Sequence, residues 1–251
     1  MEAKQILSKI NIYKKQLENI SFSLRLFRRK VKIRNALFRV YAWHPRSWPM
    51  KDSPPISWIL DNVLPNEVFY DIGANRGYFT LALLSHISDA KIFAFEPNPE
   101  VIAKLIANLD LNSTRDQVRI MEYALGAGQG IVQFNIAHSD TASSVNFTHA
   151  EKRGNGVKST IKIQVESIDN LVSKNRLPIP NHLKIDTEGF EADILYGAKK
   201  TIQKYRPFVY AEIHTQDGLK TNEQQIREIL IPYRYSIMKD GRQLLCVPRN
   251  D

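Results

Sequence analysis

Acidic and imidazole side chains stand at several points of this 251-residue chain where an apolar run gives way to a turn. Such a run is typical of a parallel strand, and open α/β sheets bind ligands outside the carboxyl ends of their strands. Carboxylates and imidazoles gathered there can bind hydroxyl groups and transfer protons. With the glycine of the first turn, the positions concerned are Asp71, Gly73, Glu96, Asp186, Glu188, Glu212 and His214.

The first of these turns lies in residues 68–77, V-F-Y-D-I-G-A-N-R-G, and a helical pattern follows it at once. Strand, turn and helix start in this order form the first half of a nucleotide-binding βαβ unit. Gly73 permits a positive φ or the close approach of a ligand, and Gly77 permits close packing where the helix begins. The dinucleotide motif G-x-G-x-x-G needs glycine where Asn75 and Tyr78 stand, which argues against a bound pyrophosphate.

The ligand that remains is a nucleoside whose small charged end meets Asp71 and the helix N-terminus. Glu96 follows Asp71 by 25 residues, near the spacing at which a carboxylate binds a ribose diol. Glu96 could instead cap the helix that begins at Asn98. Glu122 and Tyr123, toward the end of the third predicted strand, are expected to face the base. The cofactor-binding candidates are therefore Asp71, Gly73, Asn75, Gly77, Glu96 and Glu122.

A second dense stretch, L-K-I-D-T-E-G-F-E, covers residues 183–191. A core strand tolerates Lys184 only if its charge finds a partner. Asp186 shares the strand face of Lys184 and Glu212 ends the neighbouring strand, so we expect Lys184 to pair with a carboxylate there. Asp186, together with Glu188 and Glu191, could alternatively cap the helix that follows.

His214 ends the fifth predicted strand beside Glu212, and an imidazole beside an acid is a reasonable general base. We therefore assign His214, Asp186 and Glu212 as catalytic candidates, with one of the two acids orienting the imidazole. A purely structural histidine is the alternative. The same three residues could hold a divalent cation, but their spacing does not require one, and no metal is assigned.

These positions belong to strands and helices that alternate in βα fashion from residue 56 onward. The pattern predicts helices from Tyr78 to His86, from Asn98 to Leu111, from Glu191 to Tyr205 and from Asn222 to Leu230, and a closing hairpin around Asp240 and Gly241. It also predicts added strands at residues 131–137 and 161–165. The polar stretch 138–160 is expected to be a substrate-side lid.

The N-terminal part of the chain differs from this body in charge. Residues 1–51 hold 13 Lys and Arg against two acids, a net charge of +11, so the chain's total of +9 leaves −2 for the remainder. Apolar residues from Ile6 to Val31 recur at alternating spacings of four and three, which predicts an amphipathic helix. We assign residues 1–55 to a basic helical arm with a Pro-rich linker, and residues 56–251 to the catalytic domain.

Four roles are open for this arm: packing on its own or a partner domain, contact with a membrane surface, contact with RNA, and self-association. Cys246 is the chain's single cysteine, which excludes an internal disulfide and favours a reducing compartment. No apolar run approaches the ~18 residues of a membrane span. We expect a cytoplasmic protein with the option of peripheral membrane contact.

Five segments together resemble the FkbM-type methyltransferases, a class I group dependent on S-adenosylmethionine. They are D-I-G-A-N-R-G at 71–77, F-E-P at 95–97, E-Y-A-L-G at 122–126, K-I-D-T-E-G-F-E at 184–191, and Pro207 to Glu212. The resemblance implies a Rossmann-like seven-stranded sheet with helices on both faces, S-adenosylmethionine beside residues 71–77, and methyl transfer to a hydroxyl group. It does not cover the basic arm.

The expected activity is O-methyl transfer to a sugar, a glycan or another small hydroxyl compound. Methylation of an exocyclic amine would call for a proline-containing turn after the fourth strand, and D-T-E-G at 186–189 has none. The alternatives are an RNA methyltransferase that uses the basic arm, although nucleic acid is the less favoured partner, and a cofactor-binding module without catalysis.

Overall fold

The structure is a computed structural model that describes residues 27–42, 54–138, 143–145, 150–152, 154–214 and 222–249. In chain order, the strands are β1 (Phe27–Ile33), β2 (Ala36–Ala42), β3 (Val68–Ile72), β4 (Lys91–Phe95), β5 (Val118–Met121), β6 (Ala124–Leu125), β7 (Gly130–Ala137), β8 (Val157–Glu166), β9 (His182–Ile185), β10 (Phe208–Glu212), β11 (Tyr235–Asp240) and β12 (Gln243–Pro248). The α-helices are α1 (Pro54–Asn62), α2 (Tyr78–His86), α3 (Pro99–Leu111), α4 (Ile168–Ser173), α5 (Glu191–Tyr196), α6 (Lys199–Tyr205) and α7 (Asn222–Leu230).

Seven strands form the central sheet in the order β11-β12-β10-β9-β3-β4-β5. The five strands from β10 to β5 pair in parallel, whereas β12 is antiparallel to β10 and β11 is antiparallel to β12. The chain leaves β3 toward β4 on one side and returns through β9 on the other, so the strand order reverses between β3 and β9. The predicted fold class, a mostly parallel Rossmann-like sheet with an antiparallel C-terminal hairpin, is confirmed.

Helices cover both faces of this sheet because its central strands are apolar on both sides. All five residues of β3 are buried, and Phe69 and Tyr70 point to opposite faces. One hydrophobic cluster joins the sheet to α4, α5, α6 and α7, and the other joins it to α1, α2 and α3. A second sheet, in the order β6-β8-β7, confirms the two added strands.

The prediction of a helix for the N-terminal arm is wrong in the part of the arm that the structure describes. Residues 27–42 form an antiparallel hairpin of β1 and β2, which turns at Arg34 in a left-handed conformation (φ 49°). The physical reason is a competing alternation, since Val31 and Ile33 are buried and their neighbours in sequence face solvent. The part of the predicted helix in residues 1–26 and the linker in residues 43–53 lie outside the described residues.

The hairpin packs on the catalytic body. Phe38 is 3% exposed, shares a hydrophobic cluster with α1, α2 and α3, and meets the ring of Tyr78 edge-on at 5.5 Å. Asn108 on α3 accepts a hydrogen bond from the backbone amide of Tyr41 at 2.8 Å. The division of the chain at residues 55 and 56 stays a prediction.

Two predicted elements are divided. The helix expected from Glu191 to Tyr205 breaks into α5 and α6 at Gly197, where a Cβ would lie 2.1 Å from the carbonyl oxygen of Gly126. The strand expected over residues 118–125 divides into β5 and β6, which belong to different sheets. Among the described residues, no helix has the length and apolar character required to span a membrane.

We predict that Phe38→Ala lowers the free energy of unfolding by about 3 kcal/mol, because it removes a buried ring from the shared core. Leu37→Ala is the matched control: Leu37 is the next residue and is 59% exposed, so we expect a change below about 0.5 kcal/mol. Denaturant unfolding measures both values. If the hairpin folded independently of the rest of the protein, the main unfolding transition of Phe38→Ala would be the same as that of the wild type, which would contradict the prediction.

Candidate active site

The turn after β3 brings the backbone close to the ends of two neighbouring strands. The amides of Gly73 and Ala74 both donate to the carbonyl oxygen of Phe95 at the end of β4, each at 3.0 Å. Gly73 has a φ of 73°, and a Cβ there would lie 1.9 Å from the carbonyl oxygen of Asp186. Only glycine fits this position, which confirms the positive φ expected of Gly73; the group that approaches it closely is the backbone of Asp186.

Gly77 has a packing role, as predicted. Its φ is 82°, and a Cβ would lie 2.4 Å from Leu105 Cδ1, so the missing side chain allows α2 to pack tightly against α3. Asn75, between the two glycines, also has a positive φ of 49°. Asn75 lies on the wall of the cavity described below, whereas Gly77 does not line that cavity.

Asp71 and Lys184 form a buried ion pair beneath this turn. Lys184 Nζ lies 3.0 Å from Asp71 Oδ1 and donates to the carbonyl oxygen of Gly73 at 2.8 Å. Thr80 on α2 donates to Asp71 Oδ2 at 2.7 Å. Burial opposes the charge of Lys184, but Asp71 and Asp186 outweigh it and raise the pKa of Lys184, so Lys184 is a cation.

Asp71 therefore has a different task from the one expected of it. It is 0% exposed and is not on the cavity wall, so its carboxylate holds the turn from below. Lys184 does pair with a carboxylate, but its near partner is Asp71 at 3.0 Å in place of the expected Asp186 or Glu212; Asp186 lies at 3.9 Å.

Glu96 is fixed by two backbone amides. Its Oε2 accepts from the amide of Asn75 at 3.1 Å, and its Oε1 accepts from the amide of Asn98 at 2.9 Å. Asn98 in turn caps α3 by accepting from the amide of Glu100 at 3.0 Å. Glu96 thus links the turn after β3 to the start of α3, and it also lines the cavity. Its position agrees with both the ribose contact and the capping role considered above.

A cavity of about 520 Å³ opens at the carboxyl ends of β3, β4 and β9. Its wall includes four of the predicted site residues, namely Gly73, Asn75, Glu96 and Asp186. Glu122 is exposed and lies outside the wall, whereas the adjacent Tyr123 lines it and packs edge-on against Phe95 at 5.9 Å. This placement does not support a cofactor contact by Glu122.

The small sheet and part of the predicted lid complete the wall opposite the turn. Val132 and Phe134 of β7 line the cavity, as do residues 143–145 from the polar stretch. The amides of Ser144 and Asn135 donate to each other's carbonyl oxygens at 3.1 and 2.8 Å, which ties this segment to β7. Strand β8 begins at Val157, so the irregular stretch is shorter than predicted, and its role as a lid stays a prediction. The alternation of β7 predicted a strand but carried no signal that the strand faces the site.

His214 lies among four carboxylates behind the cavity. Its Nδ1 is 3.0 Å from Glu191 Oε1, while its Nε2 is 3.5 Å from Glu188, 3.7 Å from Glu212 and 3.9 Å from Asp186. The structure thus brings the three predicted catalytic residues together. Of this group only Asp186 and Glu188 lie on the cavity wall.

The charges of this group shift each other's pKa values. Burial opposes the ionisation of His214, but the hydrogen bond to Glu191 and the nearby carboxylates outweigh it and raise its pKa to about 9. His214 is therefore an imidazolium at neutral pH, which cannot accept a proton. Burial and the negative charges of its neighbours raise the pKa of Glu188 to about 7, while His214 acts in the opposite direction.

One side-chain atom from each of Asp186, Glu212 and His214 lies within 4.8 Å of the others. Oxygen and nitrogen donors at such distances can hold a divalent cation. Glu212 already accepts from Gln243 at 2.9 Å and pairs with Arg242 at 2.6 Å. The metal option considered for these residues therefore stays open and unassigned.

The sheet order, the turn after β3 and the carboxylate at the end of β4 define a Rossmann-like domain with the class I methyltransferase fold. The sequence matches the profile of the methyltransferase FkbM domain over residues 71–237. The chain belongs to the FkbM methyltransferase family, which confirms the resemblance found in its motifs.

Two relatives and one solved structure illustrate this membership. The hexuronic acid methyltransferase AglP of Haloferax volcanii is 31% identical over 159 residues, which cover 63% of this chain and 61% of AglP. The 2-O-methyltransferase NoeI of Sinorhizobium fredii is 26% identical over 176 residues, or 66% of this chain and 70% of NoeI. The crystal structure of methyltransferase FkbM from Methylobacillus flagellatus shares the fold at a TM-score of 0.52 and 17% identity, over 77% of this chain and 48% of that one.

We predict that Lys184→Met destabilises the protein by about 3–5 kcal/mol, because Asp71 is left as an unpaired buried charge. The double variant Lys184→Met with Asp71→Asn should recover part of this loss, since the unpaired charge is gone. Denaturant unfolding of the wild type, both single variants and the double variant gives the coupling energy. Additive effects of the two substitutions would contradict the ion pair.

Proposed function

We propose that this protein is an S-adenosylmethionine-dependent O-methyltransferase that methylates a hydroxyl group of a sugar or glycan. The observation that carries the proposal is the position of two carboxylates, Asp186 and Glu188, on the cavity wall beside the turn at Gly73. The names of the relatives, a hexuronic acid methyltransferase and a 2-O-methyltransferase, support a sugar hydroxyl as the acceptor. Because the chain spans 61% of AglP and 70% of NoeI, activity and substrate are both part of the proposal.

The cofactor would be held by residues of the turn and of the second strand. Glu96 binds the ribose hydroxyls, Gly73 and Asn75 leave room for the chain's backbone to approach the ligand, and Tyr123 packs beside the base. When bound, S-adenosylmethionine supplies a methyl group already activated on a sulfonium. The protein's own tasks are to align the acceptor oxygen, which is worth roughly 7–11 kcal/mol of barrier, and to remove its proton.

We assign proton removal to Glu188 in place of His214. Glu188 lies on the cavity wall, its side chain is 22% exposed, and its pKa of about 7 matches what a base needs near neutral pH. In this proposal, Asp186 orients the acceptor hydroxyl. The imidazolium of His214, held by Glu191 and bordered by Glu212, positions the two wall carboxylates without taking the proton.

Glu188 adopts a left-handed backbone conformation (φ 54°), which is uncommon for a residue with a side chain. The following Gly189 also has a positive φ, of 109°, and donates to Glu191 Oε1 at 3.0 Å. This turn directs the chain across the mouth of the cavity, where Ser144 Oγ donates to the carbonyl oxygen of Glu188 at 3.4 Å. A rigid turn of this kind supports a positioned base.

The cofactor assignment predicts that Glu96→Ala weakens binding of S-adenosylhomocysteine by at least about tenfold, because a hydrogen bond to a charged group contributes about 1.5–3 kcal/mol. Glu122→Ala is the matched control, since it removes an exposed carboxylate outside the cavity wall and should leave affinity unchanged. Titration calorimetry measures both. Equal affinities of Glu96→Ala and the wild type would overturn the ribose assignment.

The base assignment predicts that Glu188→Gln lowers kcat by ~10²–10⁴-fold with unchanged affinity for S-adenosylhomocysteine. In the wild type, activity should rise with pH through about 7, because Glu188 must lose its proton before it can accept one. Glu188→Gln should lack this rise, and Asp193→Asn, at another carboxylate on the same wall, should keep it.

The assay uses tritiated cofactor and separate pools of uronic acids, glycans and RNA. Counts that appear only in RNA would contradict the sugar acceptor, and the absence of counts in every pool would favour a binding module without catalysis. Activity that chelators abolish and Mg²⁺ restores would instead assign Asp186, Glu212 and His214 to a metal.

A further inference from the structure

The hairpin of β1 and β2 is strongly basic. Between residues 27 and 42 the chain has six Lys and Arg and no acid. In the described part of the chain, Arg34 at the turn pairs with Asp61 of α1. Lys30, Lys32 and Arg39 form no ion pair within those ranges, so their charges are left for the solvent or a partner.

The strand register collects these charges on one side. Arg28, Lys30 and Lys32 alternate with the inward-facing residues of β1, and Lys30 stands directly opposite Arg39 while Lys32 stands opposite Leu37. All five side chains are exposed. We call this set, Arg28, Lys30, Lys32, Leu37 and Arg39, the basic face. Two like charges placed opposite each other destabilise a hairpin, and an anion that binds between them removes that repulsion.

A shallow depression of about 280 Å³ lies at the centre of the basic face, with Lys30, Leu37 and Arg39 on its wall. Asn112 at the end of α3 closes its other side and fixes Arg39: its Oδ1 accepts from the Arg39 amide at 2.8 Å, and its Nδ2 donates to the Arg39 carbonyl at 2.7 Å. The backbone that carries the guanidinium is therefore held in place before any ligand arrives.

We propose that the basic face binds the phosphate groups of an anionic membrane surface. Leu37 is 59% exposed in the middle of the cations, and an apolar side chain among basic ones is the composition of a membrane-surface element. Single-stranded RNA would instead call for exposed rings on which bases stack, and the rings of Phe38 and Tyr41 are each 3% exposed. The proposal does not depend on the proposed methyl acceptor.

The test is co-sedimentation of the full chain with vesicles of phosphatidylcholine, with and without phosphatidylglycerol. We expect binding only to the anionic vesicles and weaker binding at high salt. Lys30→Glu with Arg39→Glu should lower the partition constant at least about thirtyfold, because each basic side chain near an anionic leaflet contributes about fivefold. Leu37→Ser should weaken binding without any change in net charge.

The matched control is Lys174→Glu with Lys200→Glu, which makes the same change in net charge on exposed lysines of the opposite side of the sheet. This control should keep most of the binding, and thermal melts should show that both double variants are folded. Equal binding by the wild type and Lys30→Glu with Arg39→Glu overturns the proposal, as does an equal loss in the control. Displacement of the vesicles by inorganic phosphate at constant ionic strength, or tight binding of RNA without vesicle binding, overturns it as well.

Discussion

The buried ion pair of Lys184 and Asp71 is the interaction on which the site depends. It joins the ends of β3 and β9 at the point where the strand order reverses, and the ammonium also binds the carbonyl oxygen of Gly73 at 2.8 Å. Asp71 also accepts a hydrogen bond from the hydroxyl of Thr80. One carboxylate therefore fixes the turn, the neighbouring strand and the first helix after the turn. Two charges removed from water persist in a core only when each satisfies the other, which explains why both occur together.

Electrostatics also sets the chemistry of the cavity. Asp186, Glu188, Glu191 and Glu212 converge on the end of β9 and β10, with Lys184, His214 and Arg242 as the nearby cations. A surplus of carboxylates favours a cationic ligand such as a sulfonium, and it raises the energy of every ionised acid in the group. Burial and these neighbouring charges together raise the pKa of Glu188 to about 7.

Local patterns predicted most of the fold, and they failed where two patterns overlapped. Tyr78–His86 and Asn222–Leu230 have the predicted bounds. The first helix is apolar and buried on nearly all sides, whereas the second has a single apolar face. Residues 27–42 carry both a helical spacing of apolar residues and an apolar–polar alternation with a period of two. Packing against α2 and α3 favours the alternation, so these residues form strands. The need of Lys184 for a carboxylate partner could be predicted. The identity of that partner could not, because Asp71 and Lys184 lie 113 positions apart in the sequence.

The roles of the catalytic residues could not be predicted for a related reason. Sequence gives residue types, and a histidine beside an acid predicts a base, but the charge of His214 depends on four carboxylates drawn from two strand ends, a turn and the start of α5. Those carboxylates raise the pKa of His214 to about 9, while burial, together with the repulsion between the carboxylates, raises the pKa of Glu188 to about 7. An environment that separates pKa values in this way can assign acid and base, which is why we propose the acid on the cavity wall as the proton acceptor and the imidazolium as its counter-charge.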